Sequence, residues 1–337
     1  MDPNVVLPLL SSLTSFVFFG LVLSQWLERR RSFQLVWAIG LLWYGVSAGT
    51  EFLGSAFGWS EPLYRVWYLI GAFFVAAYLG MGTIYLLGRT RFGYFVATVI
   101  LLGGLFGLSI RGRYPDAGPL ATAVIAFAVI AAVAVALTTW RKREWSAHVT
   151  MTALALGSLA VAWLVLTTRL DAPGWAVDPA TGVPIGERIP GEIRVLAAPF
   201  NIAGAFALVV GALFSAYVFM PKRKVLPGRP LPPVVAQVYG AVAVCVNFLA
   251  SLPLAFAALQ RGELHSRVPA TILIAVGGFI PGVTSGLNRF GITWAFFLGE
   301  LLGVLLIFLG FLVSTEVFAS GVRIGPLVLA QRRTVSS

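Results

Sequence analysis

Ten times along the chain, a run of mostly apolar residues 18 to 27 long is closed by a short polar or basic segment. The runs cover residues 5–27, 33–57, 63–87, 92–109, 119–139, 148–168, 195–220, 234–258, 269–287 and 292–318. An α-helix needs about 20 such residues to cross roughly 30 Å of hydrocarbon. The runs do not alternate with period two, which argues against a β-barrel. The pattern predicts an all-α, polytopic transmembrane bundle of about ten spans, forming one membrane domain over residues 1–337. Connections are short, so successive helices are antiparallel neighbours. The longest non-apolar stretch is RLDAPGWAVDPATGVPIGERIPGEIR at 169–194. Its Pro, Gly and Asp content predicts an ordered, turn-rich extracytoplasmic loop. One run leaves a choice. Residues 269–287 are Gly-rich and contain Pro281. They form either a spanning helix or a broken, re-entrant one, and the latter leaves nine spans.

Composition agrees: 58% of the 337 residues are hydrophobic and 11% are charged. So little charge suits a chain solvated by lipid. The net charge of +11 is read as basic loops on anionic lipid at the cytoplasmic face, not as a nucleic-acid site. Basic residues cluster at Arg29–Arg31, Arg89 and Arg91, Arg141–Arg143, and Lys222–Lys224 with Arg229. The clusters place those loops inside and the N-terminus outside, in the cell (inner) membrane. MDPNVVLPLL lacks a basic n-region, so the first run is expected to be retained as a helix. Trp26, Trp140 and Trp294 fall near inner ends, and Trp59, Trp67 and Trp175 near outer ends, as an interfacial belt would. The lone cysteine, Cys245, is expected to be a small packing residue. Two distant histidines support neither haem nor zinc, and no cofactor or metal is expected.

An internal echo adds detail. Ala38–Glu51, AIGLLWYGVSAGTE, aligns without gaps on Ala275–Asn288, AVGGFIPGVTSGLN. Ser47 meets Thr284, and Glu51 meets Asn288. The echo suggests inverted repeat units over residues 33–87 and 269–318, a pattern seen in transporters. Both segments carry GxxxG, at Gly45/Gly49 and Gly282/Gly286, and Gly299/Gly303 repeats the spacing. These glycines are expected at close helix contacts, within the chain or against a membrane partner or second copy.

A separate polar stripe carries the candidate chemistry. Tyr44, Ser47 and Glu51 share one helix face, and Thr284 and Asn288 occupy the matching positions. A charged residue at mid-span costs about 2.5–3.5 kcal/mol on insertion scales, so Glu51 should face the bundle interior. Its expected partner is Arg65 at the start of the next run, for which Glu61 competes. Two readings stay open for Glu51: a structural ion pair, or a protonatable carboxylate on an ion or proton path. Glu300 lies deep in the last run beside the Gly299/Gly303 edge, and Glu316 nearer its outer end. Asn201, near the outer third of the seventh run, is expected to cap or bridge helices before binding a ligand.

No P-loop, dinucleotide fingerprint or H-E-x-x-H occurs, which disfavours an enzyme, although a lipid-active one using Glu300 stays open. The stretches LLWYGVSAGTEFLG, YRVWYLIGAF and LNRFGITWAFFLGELLGVLLIFLGFLVS are similar to multi-pass bacterial membrane proteins. That resemblance implies nothing about mechanism. Two function classes remain. In the first, a polar seam of Tyr44, Ser47, Glu51, Thr284, Asn288 and Glu300 binds or moves a small solute, ion or lipid. In the second, the chain is an accessory, sensor or assembly subunit without transport activity.

Overall fold

A computed structural model describes residues 2–113, 118–172, 174–178, 182–230, 233–288, 293–314, 322–324 and 327–329. Ten long helices dominate them. They are α1 (Pro3–Arg29), α2 (Ser32–Phe57), α3 (Glu61–Leu87), α4 (Phe92–Ser109) and α5 (Gly118–Arg141). They continue with α6 (Arg143–Thr167), α7 (Ala197–Phe219), α8 (Pro233–Gln260), α9 (Arg267–Asn288) and α10 (Thr293–Val313). A two-stranded antiparallel hairpin pairs Val322–Ile324 with Leu327–Leu329.

Local chemistry explains where helices start and stop. The Asp2 carboxylate accepts the Asn4 N–H at 2.9 Å and Pro3 follows, capping the start of α1. Arg30 takes a left-handed φ of 53° and donates its N–H to the Trp26 carbonyl, which ends α1. Gly58, at φ 96°, ends α2.

Among the described residues, nine helices are long and apolar enough to cross a membrane. This is a multi-pass membrane protein. The 26-residue α2 is not among the nine, although it matches them in length. Its Ser, Thr, Tyr and Glu residues dilute the apolar run, and twelve of its residues are buried. A helix shielded by α1 on one side and α3 on the other can carry polar groups that a lipid-facing helix cannot. Lipid-facing helices show the opposite pattern. Ile130 of α5 and Leu159 of α6 are 67% and 70% exposed.

The chain packs as two compact units, residues 1–211 with 277–305, and residues 212–276 with 306–337. In the first, α1 lies along α2, α2 along α3, and α4, α5 and α6 follow in sequence. Close approach of α3 to α7 rests on Gly80 and Gly204, where a Cβ on either would run into the opposing backbone. α3 is interrupted by a π-helical turn, Ile70–Phe74. Such a turn breaks the regular i→i−4 ladder. The Ala72 carbonyl within it accepts the Asn201 side-chain amide at 2.8 Å. Asn201 therefore bridges α7 to α3.

Loop 169–194 is ordered where described. Val177 faces Pro184 in an isolated bridge, and Gly182 turns the chain at φ 69°. The fully buried Tyr64 donates its hydroxyl to the Ile185 carbonyl at 2.6 Å. Leu170, Ile189 and Ile193 join Tyr64, Phe73 and Val165 in one apolar cluster, so the loop is held down by burial.

In the second unit, Ala216, Met220, Ala255 and Val268 form a small core. The basic loop 221–230 is tied to α8. Asn247 Oδ1 accepts the Val225 and Leu226 N–H groups at 2.7 and 2.9 Å, and Ser251 Oγ accepts the Arg223 N–H at 2.9 Å. Cys245 differs from its expected packing role, because it is exposed on α8. The re-entrant alternative for residues 269–287 is not formed, since α9 runs as one helix through Pro281. A proline ring removes one backbone donor, and the two ends of the helix carry on around it.

Candidate functional site

The Glu51 side chain is 2% exposed. Its helix presents Tyr44, Ser47 and Glu51 on one buried face, as the 3.6-residue period requires. That face meets α3 and α10. Glu51 Oε1 accepts the indole N–H of Trp67 at 2.9 Å. The Tyr44 hydroxyl donates to the backbone carbonyl of Glu300 at 2.7 Å, which seats α10 against α2. That contact brings Glu300 to the buried face of Glu51, so that the two acids are electrostatic neighbours. Ser47 packs beside Gly71 of α3, leaving 3.1 Å between its hydroxyl and the place a Cβ would take.

The donor count at this pair is incomplete. Glu51 Oε2 and Glu300 Oε2 are both sequestered and find no donor among the described protein atoms. A carboxylate accepts hydrogen bonds and donates none. Two ionised carboxylates as sequestered neighbours would repel one another, and a shared proton or a cation would relieve that repulsion. Among the described residues, no Lys, Arg or His side chain forms an ion pair with either acid. Nor does any group of three or more His, Cys, Asp or Glu come together among them.

Arg65 does not serve as the counter-charge expected for Glu51. Its guanidinium binds Glu61, one helical turn away, at 2.8 Å, and also donates to the Val165 carbonyl. The i,i+4 spacing on one helix explains why Glu61 wins. Trp67 also departs from expectation. It is not a belt residue: its indole nitrogen points inward to Glu51, and Trp59 stacks edge-on against it at 5.9 Å. Trp140 and Trp294, 70% and 57% exposed, keep the outward positions a belt requires. The Glu51–Trp67 pairing had a signal in the sequence. Both residues stand eight positions from Trp59 in the turn joining α2 to α3. Antiparallel neighbours place such residues at equal depth.

The second polar stripe does not join this site as a mirror of the first. Thr284 packs against Gly299, and its hydroxyl turns back to the Ile280 carbonyl at 3.1 Å. The Asn288 side chain lies outside the described residues, as does Glu316. Asn201 is spent on the π-helical turn of α3.

The glycines divide in a similar way. Gly45 and Gly49 face Phe16 and Ser12 of α1, and the Ser12 hydroxyl donates to the Gly45 carbonyl at 2.8 Å. Gly299 and Gly303 lie against Thr284 and Pro281 of α9. The contact expected at Gly282 is not made among the described residues of the chain: the glycine is exposed, and nothing lies within 4 Å of where its Cβ would stand. α9 instead offers its Pro281/Thr284 side to α10, because the groove on α10 is already supplied by the two α10 glycines. The Gly286 environment lies outside the described residues.

Comparison with protein-family models, with characterised proteins and with solved structures finds no match for this chain.

Proposed function

We propose that this membrane protein binds an exchangeable proton or small cation between Glu51 and Glu300, as part of moving or binding a small solute or ion across the bilayer. The observation that carries this is a pair of neighbouring acids, each with a sequestered carboxyl oxygen that has neither a donor nor a basic partner among the described residues. Intramembrane ionisable residues mark ion or proton paths when a structural ion pair does not account for them. The roles follow from the geometry. Glu51 and Glu300 hold the proton or cation between their oxygens. Trp67 orients Glu51 through Oε1, leaving Oε2 for the exchanged species. Tyr44 fixes the depth of α10 relative to α2 through a backbone contact that survives any change of charge on Glu300. Release of the proton would leave two like charges as neighbours, and that repulsion would push α2 and α10 apart.

The test is infrared difference spectroscopy of the protein in lipid across a pH titration, combined with proton flux into liposomes carrying a pH-sensitive dye. A protonated-carboxyl band should be present in the wild type and change in both Glu51→Gln and Glu300→Gln. Flux, or pH-dependent uptake of a cation, should be lost in both. A wild-type spectrum without that band, and flux equal in all three proteins, would overturn the proposal.

A second reading has its own observation. The Trp67 cap and the Tyr44 hydroxyl tie three helices together at one point. An accessory or assembly subunit could use the same cluster as a static latch. In that case the two Gln variants lose stability, and the wild type shows no flux at any pH.

A further inference from the structure

The first unit also contains a cavity that the carboxyl pair does not use. It has a volume of about 290 Å³ and is walled by α3, α4, α5, α6 and α7. We propose that this slot holds one acyl chain of a bilayer phospholipid.

The chemistry of the wall comes first. Met81, Val96, Ala128 and Val161 form its buried floor. The one hydroxyl in its lining, Thr150, is turned away and donates to the Ser146 carbonyl at 2.8 Å. A solute with polar groups would lose its hydration there and gain no partner. An alkyl chain loses nothing.

Access comes second. Ala123 and Phe127 of α5 and Leu156 and Ala160 of α6 line the slot and are exposed on the side of the bundle. Phe127, Leu156 and Ala160 stand well inside helices spanning Gly118–Arg141 and Arg143–Thr167, and Ala123 lies in the second turn of the first. Their neighbours Ile130 and Leu159 face outward and are the kind of surface hydrocarbon covers. The mouth therefore opens at hydrocarbon depth, where acyl chains are the abundant solute.

Shape comes third. Along α6 the lining runs from Thr150 to Leu164, which is about 21 Å at 1.5 Å per residue. Ala and Gly residues such as Ala153 and Gly157 keep this wall low. A long, apolar slot with a low wall suits a linear chain. A ring-headed isoprenoid would need a donor for its carbonyls, and Thr150 does not offer one.

The experiment uses the full chain in nanodiscs containing phosphatidylcholine with a photoactivatable diazirine near the end of one acyl chain. Cross-linked peptides are mapped by mass spectrometry. Adducts should concentrate on the slot segment of α6 around Ala153 and Gly157. Ala160→Trp and Ala123→Trp close the mouth from opposite helices and should each lower those adducts by about tenfold, the loss expected for about 1.4 kcal/mol of binding. Ile130→Trp, on the outward face, should leave them unchanged. Adducts spread evenly over outward faces and slot, or unaffected by both mouth variants, would mean annular lipid only and overturn the proposal. A slot free of adducts that instead takes a photoactivatable isoprenoid quinone would overturn the acyl-chain assignment. Either mouth variant alone suffices should the other fail to fold.

Discussion

The indole N–H of Trp67 holds one oxygen of Glu51 at 2.9 Å, inside a membrane bundle and without a neighbouring cation among the described residues. The bond joins α2 to α3 at equal distance from their connecting turn. Trp67→Phe keeps the aromatic volume and removes the donor. It should destabilise the protein by about 1–3 kcal/mol, because a sequestered acceptor is left without its partner. Thermal unfolding in detergent of this variant, beside Trp59→Phe, measures the effect. An equal, small loss in both would place the contribution in ring packing rather than in the hydrogen bond.

Glu51 and Glu300 should behave as a unit. In a double-mutant cycle with Glu51→Gln and Glu300→Gln, the coupling should reach about 0.5–3 kcal/mol, the range for residues in one network. By contrast, Glu51→Gln and Arg65→Gln should add, because Arg65 is engaged by Glu61 and the Val165 carbonyl. Coupling between Glu51 and Arg65 as large as that between the two acids would contradict the geometry.

The Arg65–Glu61 pair is open to solvent on one side only: the Glu61 side chain is 50% exposed and that of Arg65 12%. Glu61→Gln should cost about 1–3 kcal/mol, the range for hydrogen bonds to a charged group, and raising the salt concentration should reduce the difference only in part. Chemical denaturation at low and high ionic strength checks both halves of the statement.

Two glycines with the same sequence signature should respond differently to enlargement. Gly49→Leu would press on Ser12 of α1, where a Cβ alone already comes within 3.1 Å of the hydroxyl oxygen, and should destabilise by about 1–3 kcal/mol through overpacking. Gly282→Leu projects into open space and should stay within about 0.5 kcal/mol of wild type. Melting temperatures of the two variants in the same detergent settle the comparison.

Asn201→Ala removes the donor to the Ala72 carbonyl at the π-helical turn. Interhelical hydrogen bonds in membranes contribute about 0.6–2 kcal/mol, so the loss should be modest. Its location should be specific. Hydrogen exchange should rise around Ile70–Phe74 and remain unchanged in α5. A uniform rise along the chain would mean that Asn201 supports the bundle generally rather than that turn.

The long helices were legible in the sequence, and nine of those described are apolar enough to cross a membrane. Apolar runs between basic or Pro- and Gly-rich breaks read as ten helices, and ten long helices are present with ends shifted by a few residues. Hydrocarbon thickness and helical rise set these lengths, so neither needs knowledge of a neighbour. The burial of Glu51 was legible for a similar reason, since a carboxylate with Tyr44 and Ser47 on one face cannot be turned to lipid. Its partners were not. A period of 3.6 residues identifies a face and says nothing of what packs on it. Glu300 lies 249 positions from Glu51 in the chain, and only the docking of α10 on α2 brings them together. Position near a helix end suggested that Trp67 belonged to the interfacial belt and that Arg65 belonged to Glu51. The rotation of α3 about its own axis reversed the two, sending the indole inward and the guanidinium to Glu61. The glycines show the same division. GxxxG shows where a helix can be approached closely, but whether a helix comes is decided by packing, which filled the Gly45/Gly49 edge with α1 and left Gly282 open. Helix length and depth are local properties of the chain in a bilayer. Which polar groups meet depends on helix rotation and order, and these are set by side-chain packing summed over the whole bundle.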